Sequence, residues 1–470
     1  MRTNAPLPAD ARIGIIGAGP SGITAAKNVL DAGFTNVVIY DRGHEVGGNW
    51  VFDAESGHSS VFETTHIISS KEYSQYADYP MPEHYPDYPG HHHLREYFQG
   101  YARHFGVDRL VRFQTLVERC ELQDDHTWMV TSRDETTGET VTERLDYLVV
   151  ANGHHFKPRW PEYPGAFDGE WTHSHDFKRA EPYRGRRVLV IGAGNSACDV
   201  AVETSRLSEY TDISMRRGYW IIPKFLFGKP IDHIHNDSIE KLGWVPFKVR
   251  RRFFELLMRM MVGPNSRYGL PEPDHRIFST HPTLNSELLY FLRHGEIGVK
   301  PDVERVDGST VHFTDGTSRE YDAVICCTGF QITHPFFDEH LLDYSSGPVP
   351  LYLKMLPADV PNVAFIGLFQ PLGCIWPAAE LQSKILARML AGRWSPPSDL
   401  EGAIRAELDN PDVPQLDTPR HTITVDYPLF RKRLLRHLPD RYVSRQPVAP
   451  LHGPADAAAD TSGDRDAVAS

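Results

Sequence analysis

The chain has 470 residues, of which 40% are hydrophobic and 24% are charged, and its formal net charge is −13. This length can bury the cores of two or more domains, and the acidic balance excludes nucleic acid as the main partner because phosphate binding needs a basic face. The five cysteines form no C-x-x-C pair, which excludes a redox-active disulfide motif and indicates a reducing compartment.

The N-terminal segment, MRTNAPLPADAR, has no apolar core of signal-peptide length. No stretch of the sequence reaches about 18 uninterrupted apolar residues, the length that a membrane-spanning helix needs. We therefore predict a cytoplasmic protein without a transmembrane segment.

The first glycine-rich turn, GAGPSG, follows the apolar run RIGIIG and precedes a helical pattern, SGITAAKNVLDAG. In this strand–turn–helix context it is a dinucleotide-binding fingerprint: Gly17 permits the tight turn, and Gly19 lets backbone N–H groups approach a pyrophosphate. Asp41 lies nineteen positions after Gly22, at the end of VVIYD, where a carboxylate can bind an adenosine ribose diol. We therefore predict an FAD site that contains Gly17, Ala18, Gly19, Pro20, Ser21, Gly22, Asp41 and Arg42.

The segment after Asp41, GHEVGGNW, predicts a loop that folds back over FAD through Gly48, Asn49 and Trp50. Residues 50–95 are rich in Tyr, Pro and His without periodicity, which predicts a long irregular segment of functional importance, and HLREYFQGYARHFG predicts a helix over residues 93–106. The histidines at 91–93 and 154–155 have no matching carboxylate or thiolate set, so we predict no metal site.

A strand-rich stretch then runs from VRFQTLVERCEL through TWMVTSR to LDYLVVANG. Its last part, Asp146–Gly153 (DYLVVANG), matches Asp322–Gly329 (DAVICCTG) in length, leading aspartate, apolar run and terminal glycine. We predict that these two segments are the crossings between two domains.

The second glycine-rich turn, GAGNSA, lies between the strand pattern RVLVIG and the helix pattern NSACDVAVETSR. Arg216 lies nineteen positions after Ala197, where the first unit has an aspartate, and Arg217 follows it. A guanidinium can pair with a ribose 2′-phosphate, which a carboxylate would repel; the alternative for the arginines is a solvated strand end. We predict an NADPH site that contains Gly192, Gly194, Asn195, Ser196, Ala197, Arg216 and Arg217.

Residues 230–290 interrupt the α/β pattern with WVPFKVRRRFFELLMRMM, which includes Arg250, Arg251 and Arg252. This segment fits a basic amphipathic helix at a membrane surface, or a helix packed on its own protein with its arginine stems lying along apolar surface. We favour the second interpretation.

These elements predict an α/β fold with two Rossmann-like dinucleotide-binding domains, in which the NADPH domain is inserted into a discontinuous FAD domain. The FAD domain takes residues 1–178 and 325–450, where VAFIGLFQ and the helix PAAELQSKILARMLAG close it, and the NADPH domain takes residues 179–324 with a helical insertion at about 230–290. The tail, residues 451–470, is poor in apolar bulk and is predicted to be disordered.

Between the two turns stands FDGEWTHSHDF, in which Phe167, Gly169, His173 and Phe177 form an F-x-G-x-x-x-H-x-x-x-F pattern. With GAGPSG, GGNW, SSKE, GAGNSA, CTGF, GLFQP and ELQ in this order, the chain resembles the class B flavoprotein monooxygenases over nearly its whole length. It is most similar to the flavin-containing monooxygenase branch, because the Baeyer–Villiger branch usually carries Trp at the position of Phe177.

The resemblance implies that NADPH reduces FAD, that O2 then adds at flavin C4a, and that one oxygen atom passes to a small organic substrate. N- or S-oxygenation is favoured, and Baeyer–Villiger oxidation of a ketone is kept open. The resemblance also implies that His173 orients NADPH or acts as a hinge, and that Gln370 and Gln382 lie near the isoalloxazine ring.

The chain departs from the family pattern at Ile68, which stands where the family has an active-site asparagine. His66, Ser69 and Ser70 are the candidates to replace that amide in catalysis. If none does, the alternatives are an NADPH oxidase or flavin reductase that releases hydrogen peroxide, or a non-catalytic redox sensor that binds FAD and NADP.

Overall fold

The computed structural model describes residues 6–53, 57–241, 244–280, 282–342, 344–345, 348–411 and 423–439, and only the backbone of residues 237–241. The tail predicted to be disordered, residues 451–470, lies outside the described residues. Within the described ranges, no helix combines the length and the apolarity that crossing a membrane needs.

The described strands, in chain order, are β1 (Arg12–Ile16), β2 (Asn36–Tyr40), β3 (Val111–Arg112), β4 (Thr115–Leu122), β5 (Trp128–Asp134), β6 (Thr140–Leu145), β7 (Tyr147–Val150), β8 (Lys157–Pro158), β9 (Gly165–Phe167), β10 (Glu170–His173), β11 (Arg187–Ile191), β12 (Tyr210–Ser214), β13 (Ile221–Ile222), β14 (Phe225–Leu226), β15 (Lys229–Pro230), β16 (Thr283–Leu284), β17 (Ile297–Lys300), β18 (Val303–Gly308), β19 (Thr310–Phe313), β20 (Ser318–Glu320), β21 (Ala323–Cys326), β22 (Phe330–Gln331), β23 (Val363–Phe365), β24 (Gln370–Pro371) and β25 (Thr424–Val425).

The described α-helices are α1 (Pro20–Asp31), α2 (Lys71–Ser74), α3 (His91–His104), α4 (Asn195–Ser205), α5 (Ile231–Lys241), α6 (Phe247–Met261), α7 (Leu288–His294), α8 (Trp376–Leu390), α9 (Leu400–Asp409) and α10 (Tyr427–Leu435). Helix α3 and the strands around both glycine turns lie where the sequence predicts them, and most of residues 50–90 is irregular, as expected.

The first sheet is parallel, with the strand order β23-β7-β1-β2-β3. Its inner strands are continuously apolar because both of its faces are covered. Successive side chains alternate between the two faces: Ile13 and Ile15 pack in a core with α1 and α8, whereas Ile16 packs with the antiparallel sheet β4-β5-β6. The first sheet therefore lies in the middle of three layers.

The second sheet is also parallel, with the order β10-β21-β11-β12-β17. Val188 and Val190 of β11 pack toward α4, and Leu189 and Ile191 pack toward the small sheet β18–β20. The chain leaves the first sheet after β7, builds the second sheet, and returns to the first at β23. The exact boundaries at residues 178 and 324 stay a prediction; β10 and β21 of the second sheet lie close to them.

Candidate cofactor and active site

A cavity of about 530 Å³ opens at the carboxyl ends of the strands of the first sheet, where open α/β sheets bind their ligands. It brings together most of the predicted FAD residues and two of the three catalytic candidates: Gly17, Gly19, Pro20, Ser21, Asp41, Arg42, Gly48, Asn49, Trp50, His66, Ser69 and Gln370. The cavity lining does not include Ala18, Gly22, Ser70 or Gln382.

The first glycine turn has the shape that a pyrophosphate needs. Gly17 has φ +105°, and a Cβ there would lie 2.5 Å from the carbonyl oxygen of Ala151. A Cβ at Gly22 would lie 1.8 Å from the Gly17 oxygen, so this glycine is required by the fold itself. Gly19 is different, because a Cβ there would meet only Gly48 Cα at 3.5 Å. Its small size therefore leaves room for a ligand.

Helix α1 begins beside this turn, with Gly19 at its N-cap and no side chain capping its first amides. Pro20, Ser21 and Gly19 face the cavity. The positive end of the helix dipole and the uncapped N–H groups fit a phosphate. The residues present therefore fit the pyrophosphate of FAD.

Asp41 is held in place by the turn that it faces. Its Oδ2 accepts a hydrogen bond from Ala18 N–H at 2.5 Å, and its Oδ1 accepts one from Gly43 N–H at 2.7 Å. Burial raises the pKa of the Asp41 carboxyl, and these two donors oppose that rise. Ala18 thus serves the site through its backbone, and the carboxylate is positioned for a ribose diol.

His154, which the sequence suggests only as a metal ligand, lines the cavity. It follows β7, is 7% exposed, and its Nε2 lies 3.4 Å from Gln370 Oε1. Burial lowers the pKa of His154 to about 4, so its imidazole is neutral near pH 7. The sequence feature that points to His154 is its position directly after Gly153, at the predicted crossing between the domains.

His66 links the cavity to the second half of the chain. Its Nε2 accepts a hydrogen bond from Lys224 Nζ, and its Nδ1–H donates to the Thr64 carbonyl at 3.2 Å. Burial lowers the pKa of Lys224, and the nearby carboxylate of Asp199 opposes that change. Asp199 itself lies on α4 and accepts a hydrogen bond from Asn285 Nδ2 at 2.7 Å. Lys224 has no local sequence signal, because its contact with His66 spans 158 positions.

The serine candidates next to His66 differ in their placement. Ser69 faces the cavity, and its Oγ lies 2.8 Å from Ser74 Oγ. Ser70 is fully buried, and its backbone N–H donates to Asp232 Oδ2 at 2.6 Å. Ile68 also lines the cavity. An apolar side chain thus lines the cavity at the position where the resemblance implies an asparagine. Of the two serines, Ser69 is the one whose hydroxyl lies nearer to the cavity.

Three residues predicted to contact FAD have contacts that support the cavity wall. Asn49 Oδ1 accepts from Ser60 N–H at 2.8 Å, and Trp50 packs edge-on against Trp376 at 5.8 Å between ring centroids. Gln382 is fully buried, its Oε1 accepting from Gly367 N–H at 3.0 Å and its Nε2 donating to the backbone. The Gln382 amide is therefore already hydrogen-bonded within the protein, whereas Gln370 lines the cavity.

The second glycine turn repeats this geometry. Gly192 has φ +141°, and a Cβ there would lie 2.5 Å from the Cys327 oxygen. Gly194 is the N-cap of α4, whose first amides have no side-chain cap, and Ser196 is exposed beside it. Asn195 Oδ1 accepts from Leu284 N–H at 2.7 Å, and Ala197 is fully buried. The turn therefore also fits a pyrophosphate.

The arginines that follow β12 give the second site a charge opposite to that of the first site. Arg216 is exposed and has no hydrogen-bond or ion-pair partner in the part of the chain that the structure describes. Arg217 is partly buried and lies over the ring of Tyr219, 5.3 Å from its centroid. Arg216 is thus the guanidinium free to bind an anion.

His173 lies on β10, fully buried in the second sheet. Its Nδ1 accepts from His175 N–H at 3.1 Å, and its ring packs edge-on against Phe330. Burial lowers the pKa of His173 to about 4. β10 is an edge strand of the second sheet, and His173 is not among the residues that line the cavity at the first glycine turn. Its role in orienting NADPH or as a hinge stays a prediction.

Comparison with known proteins identifies the family. The family model described as flavin-binding monooxygenase-like matches residues 10–428. Human flavin-containing monooxygenase 5 is 32% identical over 434 residues, covering 88% of this chain and 80% of that protein. The N-oxide-forming dimethylaniline monooxygenase 2 of Macaca mulatta is 32% identical over 404 residues, covering 83% of this chain and 75% of that protein.

Two solved structures share the fold. S-allyl-L-cysteine S-oxygenase from Allium sativum superposes with a TM-score of 0.67 at 22% identity, covering 91% of this chain and 88% of that one. The OTEMO complex with FAD and NADP superposes with a TM-score of 0.69 at 17% identity, covering 92% and 98%. The predicted fold class, enzyme class and cofactor pair, FAD and NADPH, are confirmed. The chain belongs to the flavin-binding monooxygenase-like family.

Proposed function

We propose that this monooxygenase transfers one oxygen atom of O2 to a small organic substrate, and that it prefers a soft nitrogen or sulfur nucleophile. The observation that carries the proposal is the cavity at the first glycine turn, with neutral His154 beside Gln370 and a hydrogen bond from Lys224, in the second half of the chain, to His66. The N-oxide-forming relative at 32% identity supports nitrogen. Baeyer–Villiger oxidation of a ketone is the alternative oxygen transfer.

The first glycine turn, the N-terminus of α1 and Asp41 would hold FAD, and Gln370 and His154, which line the same cavity, would supply hydrogen bonds to a polar group of the cofactor. When bound, FAD and NADPH supply the hydride transfer and the activation of O2. The second turn, the N-terminus of α4 and Arg216 hold NADPH.

The protein positions the reactants and excludes water. Trp50, Phe62, Phe336 and Trp376 line the cavity with apolar surface, which keeps water from competing with substrate. His154 stays neutral near pH 7, so it can donate or accept a hydrogen bond without adding charge. Lys224 fixes the orientation of His66 at the cavity wall.

An NADPH oxidase is the second candidate function, and Ile68 is the observation that favours it. A branched hydrocarbon lines the cavity where the family has an amide donor. Without that hydrogen bond, reduced flavin and O2 would yield hydrogen peroxide in place of a transferred oxygen atom.

The test is a coupling measurement on the purified holoenzyme. NADPH consumption, hydrogen peroxide and oxygenated product are measured with a thioether, a tertiary amine and a cyclic ketone. We expect product from the thioether or the amine in proportion to NADPH consumed. If only the ketone is oxygenated, the preference for soft nucleophiles is wrong. If peroxide accounts for all NADPH with every substrate, the chain is an oxidase.

A further inference from the structure

A row of aromatic side chains leads from the cavity at the first glycine turn toward the protein surface. Trp50 and Trp376 both line the cavity, and their ring centroids lie 5.8 Å apart. The ring centroid of Phe98 lies 5.1 Å from that of Trp376 and 5.5 Å from that of Tyr97. Tyr97 lies 5.5 Å from Tyr79, so each ring is in direct contact with the next. We name these five residues the aromatic path.

The aromatic path is buried along most of its length and becomes partly exposed at Tyr79. Trp376, Tyr97 and Phe98 are 5%, 2% and 0% exposed, respectively. The Tyr79 ring is partly buried and packs against exposed His104 of α3, with 5.3 Å between the ring centroids. Tyr79 is therefore the end of the path at which electrons and protons can be exchanged with solvent.

Specific contacts hold the tyrosines of the path in place. Tyr97 Oη donates a hydrogen bond to the Tyr79 carbonyl at 2.5 Å and accepts one from Tyr76 N–H at 2.8 Å. Gly100 of α3 makes room for the Tyr79 hydroxyl, since a Cβ at this glycine would lie 2.7 Å from that oxygen. A phenylalanine at position 79 would not need this room, so the surroundings are matched to a phenol.

The tryptophans and tyrosines of the path can each give up one electron, whereas Phe98 only bridges its two neighbours. An oxidised indole remains as a cation, whose charge is costly to hold in the buried part of the path. An oxidised tyrosine releases its phenolic proton. The Tyr97 hydroxyl donates to a backbone carbonyl, which is too weak a base to keep that proton, whereas partly exposed Tyr79 can release its proton to water. The loss of an electron is therefore most stable at Tyr79.

We propose that the aromatic path conducts electrons from Tyr79 into the cavity and thereby removes oxidising radicals that form there. This inference rests on the proposed placement of FAD in the cavity. The oxidant is the hydroxyl radical, which forms together with hydroxide when reduced FAD gives one electron to hydrogen peroxide from uncoupled turnover. Without a nearby electron donor, this radical would attack the side chains of the cavity wall.

One electron passes along the path for each radical that is removed. The hydroxyl radical takes an electron from Trp50 and becomes hydroxide, which a solvent proton converts to water. The Trp50 radical cation takes an electron from Trp376, which takes one from Tyr97 across the ring of Phe98. Tyr97 recovers its electron from Tyr79, which releases its phenolic proton to solvent. Two thiols then reduce the Tyr79 radicals of two molecules, return their protons and form one disulfide.

Illumination of the oxidised holoenzyme without NADPH tests the path, because photoexcited FAD takes an electron from a neighbouring tryptophan. Electron paramagnetic resonance of samples frozen under light should show a flavin radical and a tyrosyl radical in equal amounts. Tyr79→Phe keeps the ring but lacks the phenolic proton, so the tyrosyl signal should be lost and the flavin radical should decay faster. Tyr290→Phe, at an exposed tyrosine of α7, is the matched control and should resemble the wild type. An undiminished tyrosyl signal in Tyr79→Phe overturns the inference.

Flavin fluorescence distinguishes a failure of this inference from a failure of the placement of FAD. A tryptophan in contact with flavin quenches its fluorescence, so Trp50→Phe and Trp376→Phe should fluoresce more strongly per bound flavin than the wild type. Trp171→Phe, in β10 of the second sheet, should not. If neither cavity variant changes the fluorescence, FAD lies elsewhere and both proposals fail. If the fluorescence rises but Tyr79→Phe keeps the tyrosyl signal, only the aromatic path fails.

Turnover in the dark tests the protective role. The holoenzyme consumes NADPH without an oxygenation substrate, with and without glutathione, and peptide mass spectrometry measures the oxygen added to Trp50 and Trp376. Tyr79→Phe should consume NADPH at the initial rate of the wild type but accumulate severalfold more oxidised tryptophan. Glutathione should lower this oxidation more in the wild type than in Tyr79→Phe. Equal oxidation of the two tryptophans in both proteins overturns the protective role.

Discussion

The side chain that follows β2 differs in charge from the one that follows β12, and this difference distinguishes the two nucleotide sites. Asp41 is held by the backbone N–H groups of Ala18, in the glycine turn, and of Gly43, and it presents an anion. Arg216, at the matching place in the second sheet, is exposed and forms no ion pair within the described residues. We therefore propose that the same backbone geometry meets two different riboses, one with a free diol and one with a 2′-phosphate.

Replacing Arg216 should change the cofactor preference. The variant Arg216→Asp should lower the ratio of kcat/KM for NADPH to that for NADH by about 10- to 100-fold, because a charge-assisted pair with the 2′-phosphate becomes a repulsion. Steady-state kinetics with both cofactors measure this ratio. Arg217→Ala is the control, since Arg217 lies over Tyr219 and should change the ratio much less. An unchanged ratio in Arg216→Asp would show that another group binds the phosphate.

Two buried histidines should make the fold sensitive to acid. Burial lowers the pKa of His154 and His173 to about 4, below the value of about 6.5 in an unfolded chain. The unfolded state therefore binds more protons below pH 6.5, so stability is complete above that pH and declines as pH falls toward 4. Each histidine contributes a slope of up to about 1.4 kcal/mol per pH unit in this window.

Chemical denaturation between pH 7.5 and about pH 5 measures that slope. His173→Gln should make it shallower, because one of the buried histidines that take up a proton on unfolding is removed. His340→Gln, which changes an exposed histidine, should leave it as in the wild type. Equal slopes for His173→Gln and the wild type would place the acid sensitivity elsewhere.

At the scale of elements, the first strand–turn–helix unit combines a structural glycine with a ligand-binding one. A Cβ at Gly22 would overlap the Gly17 carbonyl at 1.8 Å, whereas a Cβ at Gly19 would lie 3.5 Å from Gly48 Cα. Gly19 also has φ −73°, which any residue can adopt. Gly22 thus serves the packing of α1, and we propose that Gly19 serves the approach of the cofactor.

Alanine at these two positions should separate the two roles. Gly22→Ala should lower stability by about 3 kcal/mol or more, because backbone must move to relieve the overlap. Gly19→Ala should fold normally but bind FAD at least about tenfold more weakly, since a methyl group would occupy the pyrophosphate's approach. Thermal melts and the flavin-to-protein absorbance ratio after dialysis test both. Full flavin content in Gly19→Ala would contradict the assignment of the first turn.

The strand–turn–helix units could be predicted because each is a contiguous pattern of apolar runs, glycines and helix signals. The positions of Asp41 and Arg216 just beyond β2 and β12 could be predicted because their distance from the turn is set by the length of one helix and one strand, and their contacts with the two riboses stay a prediction. The hydrogen bonds of the Gln382 amide could not be predicted, since tertiary packing alone brings this side chain to Gly367 and Leu353. His154 and Lys224 were missed for the same reason: their roles come from contacts far apart in sequence.

At the scale of the whole molecule, the two halves meet at a partly buried group of polar and charged side chains. Lys224 comes from the segment that precedes the helical insertion, His66 comes from the cavity wall, and Asp199 comes from the helix of the second glycine turn. Burial raises the pKa of Asp199, and the charge of Lys224 opposes that rise. The NADPH half is therefore connected electrostatically to the wall of the flavin cavity.

Removing the Lys224 cation should lower the stability of the protein and weaken the coupling of NADPH consumption to oxygen transfer. Lys224→Met leaves the buried Asp199 carboxylate without its cation and His66 without its donor, so we expect a loss of about 1–3 kcal/mol of stability. We also expect at least about a twofold rise in peroxide released per NADPH consumed, because the cavity wall loses its fixed orientation. Lys229→Met, an exposed lysine on the same hairpin, should change neither quantity.

A second substitution separates the two effects. In Lys224→Met/Asp199→Asn no uncompensated carboxylate remains, so the melting temperature should recover much of the loss. His66 still lacks its donor in this double variant, so peroxide release should stay high. If both quantities recover together, the lysine acts through stability alone. If peroxide release is at the wild-type level already in Lys224→Met, the contact with His66 has no part in coupling the two halves.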